Sequence, residues 1–140
     1  MKDKITAKIV PDDKRLDFLP KYFGKMHLKA ESYIYDLMGA QCKDYTGGYW
    51  EFYETSNGAF YMAPDDETMH IVVETNGYVG DMSGNAAGLV MTIVCVNDLC
   101  WAAHANGDIE TSEKMADYYY LLKDFACDHP EYQKILGAID

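Results

Sequence analysis

Residues 47–65, Gly47-Gly48-Tyr49-Trp50-Glu51-Phe52-Tyr53-Glu54-Thr55-Ser56-Asn57-Gly58-Ala59-Phe60-Tyr61-Met62-Ala63-Pro64-Asp65, place aromatic strand formers on either side of one Asn-Gly pair. Trp, Phe and Tyr suit a pleated, half-buried surface, and Asn-Gly can supply the two positive φ angles of a type I′ turn, so the stretch predicts a β-hairpin. A two-residue turn at Asn57-Gly58 sets Ser56 opposite Ala59, Thr55 opposite Phe60 and Tyr53 opposite Met62, with Trp50, Phe52, Tyr61 and Ala63 sharing the other face. Both faces are apolar enough to require cover.

A second alternating pair follows after Pro64–Thr68: Met69 to Thr75, Asn76-Gly77, then Tyr78 to Met82. Pairing across Asn76-Gly77 puts Ile71, Val73, Tyr78 and Met82 on the core face and Val72, Glu74, Val79 and Asp81 on the other. Together the hairpins predict a four-strand antiparallel meander over residues 48–82. On the N-terminal side, Ile5–Val10 reads as a short strand or extended arm. Asp12-Asp13 offers a cap for a brief helix over Lys14–Phe18, and Pro20 with Gly24 brackets a turn over Pro20–Phe23.

Helical spacing of apolar residues takes over on both sides of the sheet. Ile34, Leu37, Met38 and Cys42 form a stripe in a helix near 28–42, and Ser83 or Asn85 can cap a central helix near 84–104, apolar nearly all round from Ala86 to Val96, with Trp101 on the face of Val90 and Val94. Thr111 or Ser112 opens a helix near 112–128 with Met115, Tyr118, Tyr119, Leu122, Phe125 and Ala126 inward. His129-Pro130-Glu131 starts a last helix near 130–138. The predicted fold class is therefore α/β (α+β), a single domain over residues 1–140.

A hydrophobic fraction of 49% with 25% charged residues excludes a disordered chain. The start lacks an apolar signal region, and the Ala86–Val96 run is too short to span a bilayer, so a soluble cytoplasmic protein without membrane contact is expected. Cys42, Cys95, Cys100 and Cys127 have no C-x-x-C spacing and sit in apolar segments, which predicts reduced, buried thiols. Cys100 and His104 fall at i, i+4, but no second ligand pair accompanies them, and neither metal nor cofactor is expected. His104 near a helix end reads as a surface residue.

The net charge of -11 is unevenly spread. Residues 1–30 carry eight basic residues, Lys2, Lys4, Lys8, Lys14, Arg15, Lys21, Lys25 and Lys29, against four acids, whereas Lys43 and Lys114 bracket an interval with twelve acids and neither Lys nor Arg. Such a field repels phosphates, so no direct nucleic-acid binding is expected, and it favours a basic protein surface; a solvated acidic face is the plainer alternative. At 100° per residue Glu113, Asp117, Asp124 and Asp128 fall within about 60° of one another, flanked by Lys114 and Lys123. With Glu51, Glu54, Glu74 and Asp81 they form the candidate interaction surface. No catalytic motif appears: G-x-S-x-G, phosphate loop, H-E-x-x-H and dinucleotide fingerprint are all missing, and no catalytic residue is expected.

Arg15-Leu16-Asp17-Phe18-Leu19-Pro20, Phe23-Gly24, Gly47-Gly48-Tyr49-Trp50, Phe52-Tyr53-Glu54, Ser56-Asn57-Gly58, Phe60-Tyr61-Met62-Ala63-Pro64, Phe125-Ala126 and His129-Pro130-Glu131 together carry a family resemblance over nearly the whole chain. The sequence resembles the plasmid and mobile-element antirestriction proteins of the ArdB/KlcA type. The resemblance implies an α/β protein that lets incoming unmodified DNA escape type I restriction and supplies no catalytic residues; together with the missing motifs, no enzyme is expected. Two mechanisms stay open: contact with the type I restriction-modification complex or a factor acting on it, and occupation of the enzyme's DNA groove by an acidic mimic. A small hydrolase is the weakest alternative.

Overall fold

The computed structural model describes residues 3–140. Met1 and Lys2, the latter among the basic residues of the N-terminal segment, lie outside them. Five strands and five α-helices follow in the order β1 (Ala7–Ile9), α1 (Arg15–Phe23), α2 (His27–Gln41), β2 (Trp50–Thr55), β3 (Phe60–Pro64), β4 (Met69–Val73), β5 (Tyr78–Met82), α3 (Gly84–Ala105), α4 (Ile109–Asp128) and α5 (Tyr132–Ile139).

The expected four-strand meander is two separate antiparallel sheets, β1-β2-β3 and β4-β5. Helix α3 takes the place beside β3 that a fourth strand needs. The Thr92 hydroxyl in α3 accepts the Met62 amide hydrogen of β3 at 3.3 Å, and Gly84 N–H returns to Asp66 O in the β3–β4 connection at 2.7 Å. A Cβ on Gly88 would sit inside the van der Waals radius of Ala63, so glycine is what lets helix and strand backbones approach this closely. On the opposite edge β2 pairs with β1, which gives the N-terminal arm a definite role as the third strand.

Both hairpins differ in register from a two-residue turn, with unequal consequences. In the first, Glu54 faces Phe60 and Tyr53 faces Tyr61, a shift of one residue. Asn57 has negative φ and Gly58 lies at +95°; Gly58 N–H bonds Thr55 O and Thr55 N–H bonds Ala59 O, which makes a type I turn followed by a glycine bulge. One residue of slip exchanges faces, so Trp50 and Phe52 share theirs with Phe60 and Met62. Phe52 stacks on Phe18 of α1 at 4.4 Å and Phe60 on Tyr22 at 4.3 Å, while Tyr53 and Tyr61 stack at 4.7 Å on the other side. In the second hairpin Val73 faces Tyr78 around a longer loop closed by Gly77 at φ 78°, a shift of two; of the expected inward set Ile71, Val73 and Met82 are buried and Tyr78 is half-buried.

Helix α1 runs unbroken through Pro20 instead of splitting there. Phe18, Leu19, Tyr22 and Phe23 bury one face across the proline, and that continuous packing outweighs one missing backbone hydrogen bond. Helix α4 starts earlier than Thr111 suggests, because Asp108 accepts the Thr111 amide hydrogen at 3.2 Å and serves as the cap. Ser83 caps α3 by accepting from Ala86 N–H at 3.1 Å.

Helix α3 packs against β3, α2, α4 and α5 and is the centre of the core. By length and composition it could cross a membrane, which the Ala86–Val96 run alone does not reveal, but 61% of its apolar window is buried inside the domain. Trp101, on the Val90 and Val94 side of α3, is 63% exposed on its last turns. Of the thiols, Cys42 and Cys95 are buried, Cys100 is half-buried and Cys127 is exposed, so Cys127 departs from the expected burial. Burial pushes the Cys95 thiol up to about 12.

Candidate interaction surface

The eight acids of the expected surface fall into separate places. Glu51 and Glu54 point to opposite faces of β2, because three residues along a strand reverse the side. Each meets a basic residue of α1: Arg15 Nη1 lies 3.9 Å from Glu51, and Lys21 Nζ lies 2.9 Å from Glu54. Tyr22 also donates its hydroxyl hydrogen to Glu54, and this bond together with Lys21 holds the carboxyl below its usual range. Arg15 is fixed further by donating to Trp50 O at 2.9 Å and by stacking on Tyr49 and Phe52 at 4.6 and 4.2 Å. The basic segment therefore neutralises the acids of the first hairpin.

Asp81 on β5 pairs with His70 Nδ1 at 2.6 Å, and Glu74 stands exposed in the β4–β5 loop. Asp128, half-buried, accepts the Ile5 amide hydrogen through Oδ2 at 2.8 Å. Glu113, Asp117 and Asp124 alone remain together, exposed on α4 and free of ion pairs among the described residues. They span about 16 Å along the axis at 1.5 Å per residue. Glu110 and Tyr120, exposed at the positions that continue and interrupt this stripe, belong to the same face. Their spacing from Glu113 and Asp117 is the sequence signal that locates them.

Beside Asp128, polar residues from two distant blocks meet at the rim of a cavity of about 480 Å³ that Phe125 and Tyr61 also line. Ser83 donates its hydroxyl hydrogen to Glu131 at 2.5 Å and its amide hydrogen to the same carboxylate at 2.9 Å. Burial opposes ionisation of Glu131, but the two Ser83 bonds favour the charged form and the carboxyl is held below its usual value. Asn85 Oδ1 accepts from the Tyr61 hydroxyl at 3.0 Å and from His129 Nε2 at 2.8 Å, while His129 Nδ1 accepts the Glu131 amide hydrogen at 3.0 Å. The ring is thus neutral, with its hydrogen on Nε2, and burial drives its pKa down. Ser83 and Asn85 are legible as caps and His129-Pro130-Glu131 as a helix start, but their meeting is a product of the fold.

This cluster binds helix ends together more readily than it does chemistry. Ser83 faces a carboxylate whose lowered pKa makes it a weak base, and both His129 nitrogens are spent on Asn85 and the backbone. Cys100 donates to Ser112 O at 3.2 Å, and His104 is exposed near Trp101. Among the described residues no group of three His, Cys, Asp or Glu side chains is placed to hold a metal ion.

Comparison with known proteins adds what geometry alone does not. A family model described as antirestriction protein matches residues 43–140. The chain belongs to the antirestriction protein family. Two Escherichia coli proteins named antirestriction protein KlcA are 40% and 41% identical to this family member, each over 97% of the chain and 95% and 94% of their own length. YafX of Escherichia coli K12 is 36% identical over 98% of the chain and 89% of its own. A solved structure matches with a TM-score of 0.89 at 38% identity, covering 100% of this chain and 99% of the other. It comes from a study of the KlcA and ArdB proteins that describes a novel fold and antirestriction activity against type I DNA restriction systems in vivo but not in vitro.

Proposed function

We propose that this family member protects unmodified incoming DNA from type I restriction in the cytoplasm, and that it acts through a protein contact and not as a DNA mimic. Membership of the antirestriction family supports the activity. The distribution of acids supports the mechanism: Glu51, Glu54 and Asp128 are engaged by Arg15, Lys21 and the Ile5 amide, and Asp81 meets His70 at the surface, which leaves Glu113, Asp117 and Asp124 as the one group among the candidate acids, a short stripe on α4 where a mimic needs a long one-sign track. Activity in vivo but not in vitro, described for the KlcA and ArdB proteins, fits an inhibitor that works through the restriction complex as it exists in the cell, or through a factor acting on it. In this reading the α4 stripe is a specificity element that steers a basic partner surface, and the protein turns over no substrate.

Plating of unmodified phage on a type I restricting host, with and without the protein, tests the activity. Efficiency rises if the assignment is right. Addition of purified protein to the purified nuclease tests the mechanism: DNA cleavage continues if a cellular partner is required, whereas salt-sensitive inhibition in that assay establishes groove occupation instead.

A further inference from the structure

Strand β1 is the outer strand of the three-strand sheet, with β2 on one side and no strand on the other among the described residues. Ser56 N–H bonds Thr6 O and Val10 N–H bonds Phe52 O, so the backbone groups of Thr6, Lys8 and Val10 turn toward β2. Those of Ile5, Ala7 and Ile9 turn outward. The Ile5 amide is spent on Asp128, whereas the N–H and C=O of Ala7 and Ile9 meet no hydrogen-bond partner among the described residues. Space is open along this edge: a cavity of about 440 Å³ is lined by Ala7 and Lys8 with Tyr22, and the cavity beside Phe125 is lined by Ile5 and Ala7. The Ile9 side chain is exposed.

An edge of this kind is a template for one more strand. A second copy of the chain is the wrong occupant. Two β1 strands related by a twofold axis and bonded through Ala7 and Ile9 set Lys8 directly opposite its own copy, on the closely spaced pair where like charges destabilise. One step of register either way calls on the Ile5 amide, already given to Asp128, or on Pro11, which has no N–H. The same Lys8 selects the partner. It is exposed and in no ion pair among the described residues, and Glu54, across from it on β2, is held by Lys21 and Tyr22. An acidic residue on the added strand opposite Lys8 lies on its face of the sheet and within reach. We propose that the free edge of β1 pairs with an extended segment of another protein that places a Glu or Asp opposite Lys8. This rests on the reading that protection works through a protein contact, and it specifies the chemistry of that contact.

Two capped peptides, Thr-Val-Glu-Val-Thr and Thr-Val-Lys-Val-Thr, titrated into the ¹⁵N-labelled full chain test the edge itself. The Glu peptide shifts the Ala7 and Ile9 amide resonances saturably, and the Lys peptide binds about threefold more weakly or worse. Lys8→Gln removes that difference. Ile9→Pro deletes one outward N–H and no bond to β2, so it folds and loses the response. If Ile9→Pro fails to fold by circular dichroism, Ala7→Pro carries the same comparison. In the phage plating assay the folded proline variant loses most of the protection that the parent gives. Absence of shifts with the Glu peptide, equal binding of the two peptides by the parent, or shifts that appear on raising the protein concentration alone overturns the proposal, the last in favour of a second copy. Full protection by the folded proline variant removes the edge from the protective contact. A parent that binds the Glu peptide at β1 but gives no protection upholds the edge site and rejects the antirestriction reading instead.

Discussion

Asp128 Oδ2 accepts the Ile5 amide hydrogen at 2.8 Å, so an acid at the end of α4 secures the segment that leads into β1. Asp128 therefore differs in kind from the other acids of its helix. Asp128→Ala leaves a half-buried amide unpaired and lowers stability by about 1–3 kcal/mol. Asp128→Asn keeps an acceptor oxygen and costs less, and Glu113→Gln or Asp117→Asn stays within about 0.5 kcal/mol of the parent. Urea denaturation of the purified variants separates these outcomes.

Removing the charge of the stripe without touching Asp128 isolates its functional role. The triple variant Glu113→Gln, Asp117→Asn, Asp124→Asn folds normally and retains most of its protection against unmodified phage, since screened charges add small increments to a specific contact. The purified parent does not compete with DNA for the nuclease at low salt. A collapse of protection in the triple variant, together with strong competition that fades as salt rises, identifies the stripe as a DNA mimic.

Period and composition make most of the elements legible; partners distant in sequence decide the rest. The alternation of Met69–Val73 survives a register shift of two residues because the period of a strand is two, and Ile71 and Val73 remain inward. The first hairpin shifts by one and its faces exchange, because the Asn57 side chain donates to Leu121 O at 2.9 Å and a turn at negative φ serves that bond. The sheet divides for a similar reason. Gly88 and Thr92 fit α3 to the free edge of β3, and neither residue announces this in a run that simply reads as apolar helix. On the surface, the stripe of α4 follows from helical geometry, whereas the loss of Glu51 and Glu54 to Arg15 and Lys21 depends on where α1 docks. Tyr61, Ser83, Asn85, His129 and Glu131 are separately visible as strand and cap residues and become a cluster only through folding.

The bulged turn makes a prediction opposite to that of a type I′ turn. Glycine is welcome at the first position of type I′, so Asn57→Gly would be neutral there. Here the side chain bonds both Thr55 Oγ1, at 2.6 Å, and Leu121 O, so the same substitution destabilises by about 1–2 kcal/mol. Gly58→Ala also destabilises, by about 1 kcal/mol, because φ is +95°. Thermal melts of the two variants and the parent check both values.

Gly88→Ala probes the contact that divides the sheets. The added methyl collides with backbone and Cβ atoms of Ala63 and with the Met62 carbonyl, none of which is a flexible side-chain end, so β3 and α3 must separate. A loss of about 3 kcal/mol or more follows, at the upper end of overpacking effects. Gly39→Ala serves as the control, since nothing lies within 4 Å of its added Cβ and alanine favours helix. It melts at or above the parent.

His129 gives the fold a pH dependence separable from that of its carboxylates. Burial lowers its pKa below the usual 6.5, Glu131 opposes that shift and Lys4 adds to it. The unfolded chain therefore takes up a proton at a pH where the folded chain does not, and stability rises with pH across that interval. The contribution is complete above about pH 6.5, the unfolded value, and disappears as pH falls through the lower folded value. Glu54 and Glu131, whose folded pKa values are also lowered, lose their contributions only at more acid pH, because their unfolded values lie near 4.5. His129→Gln retains a donor and an acceptor for Asn85 and the Glu131 amide but cannot titrate. Melting temperatures measured from pH 7.5 down to 5.5 fall in the parent and stay level in His129→Gln, and both fall below pH 4.5. Parallel curves for the two proteins over the upper interval would show that protonation of His129 does not oppose folding.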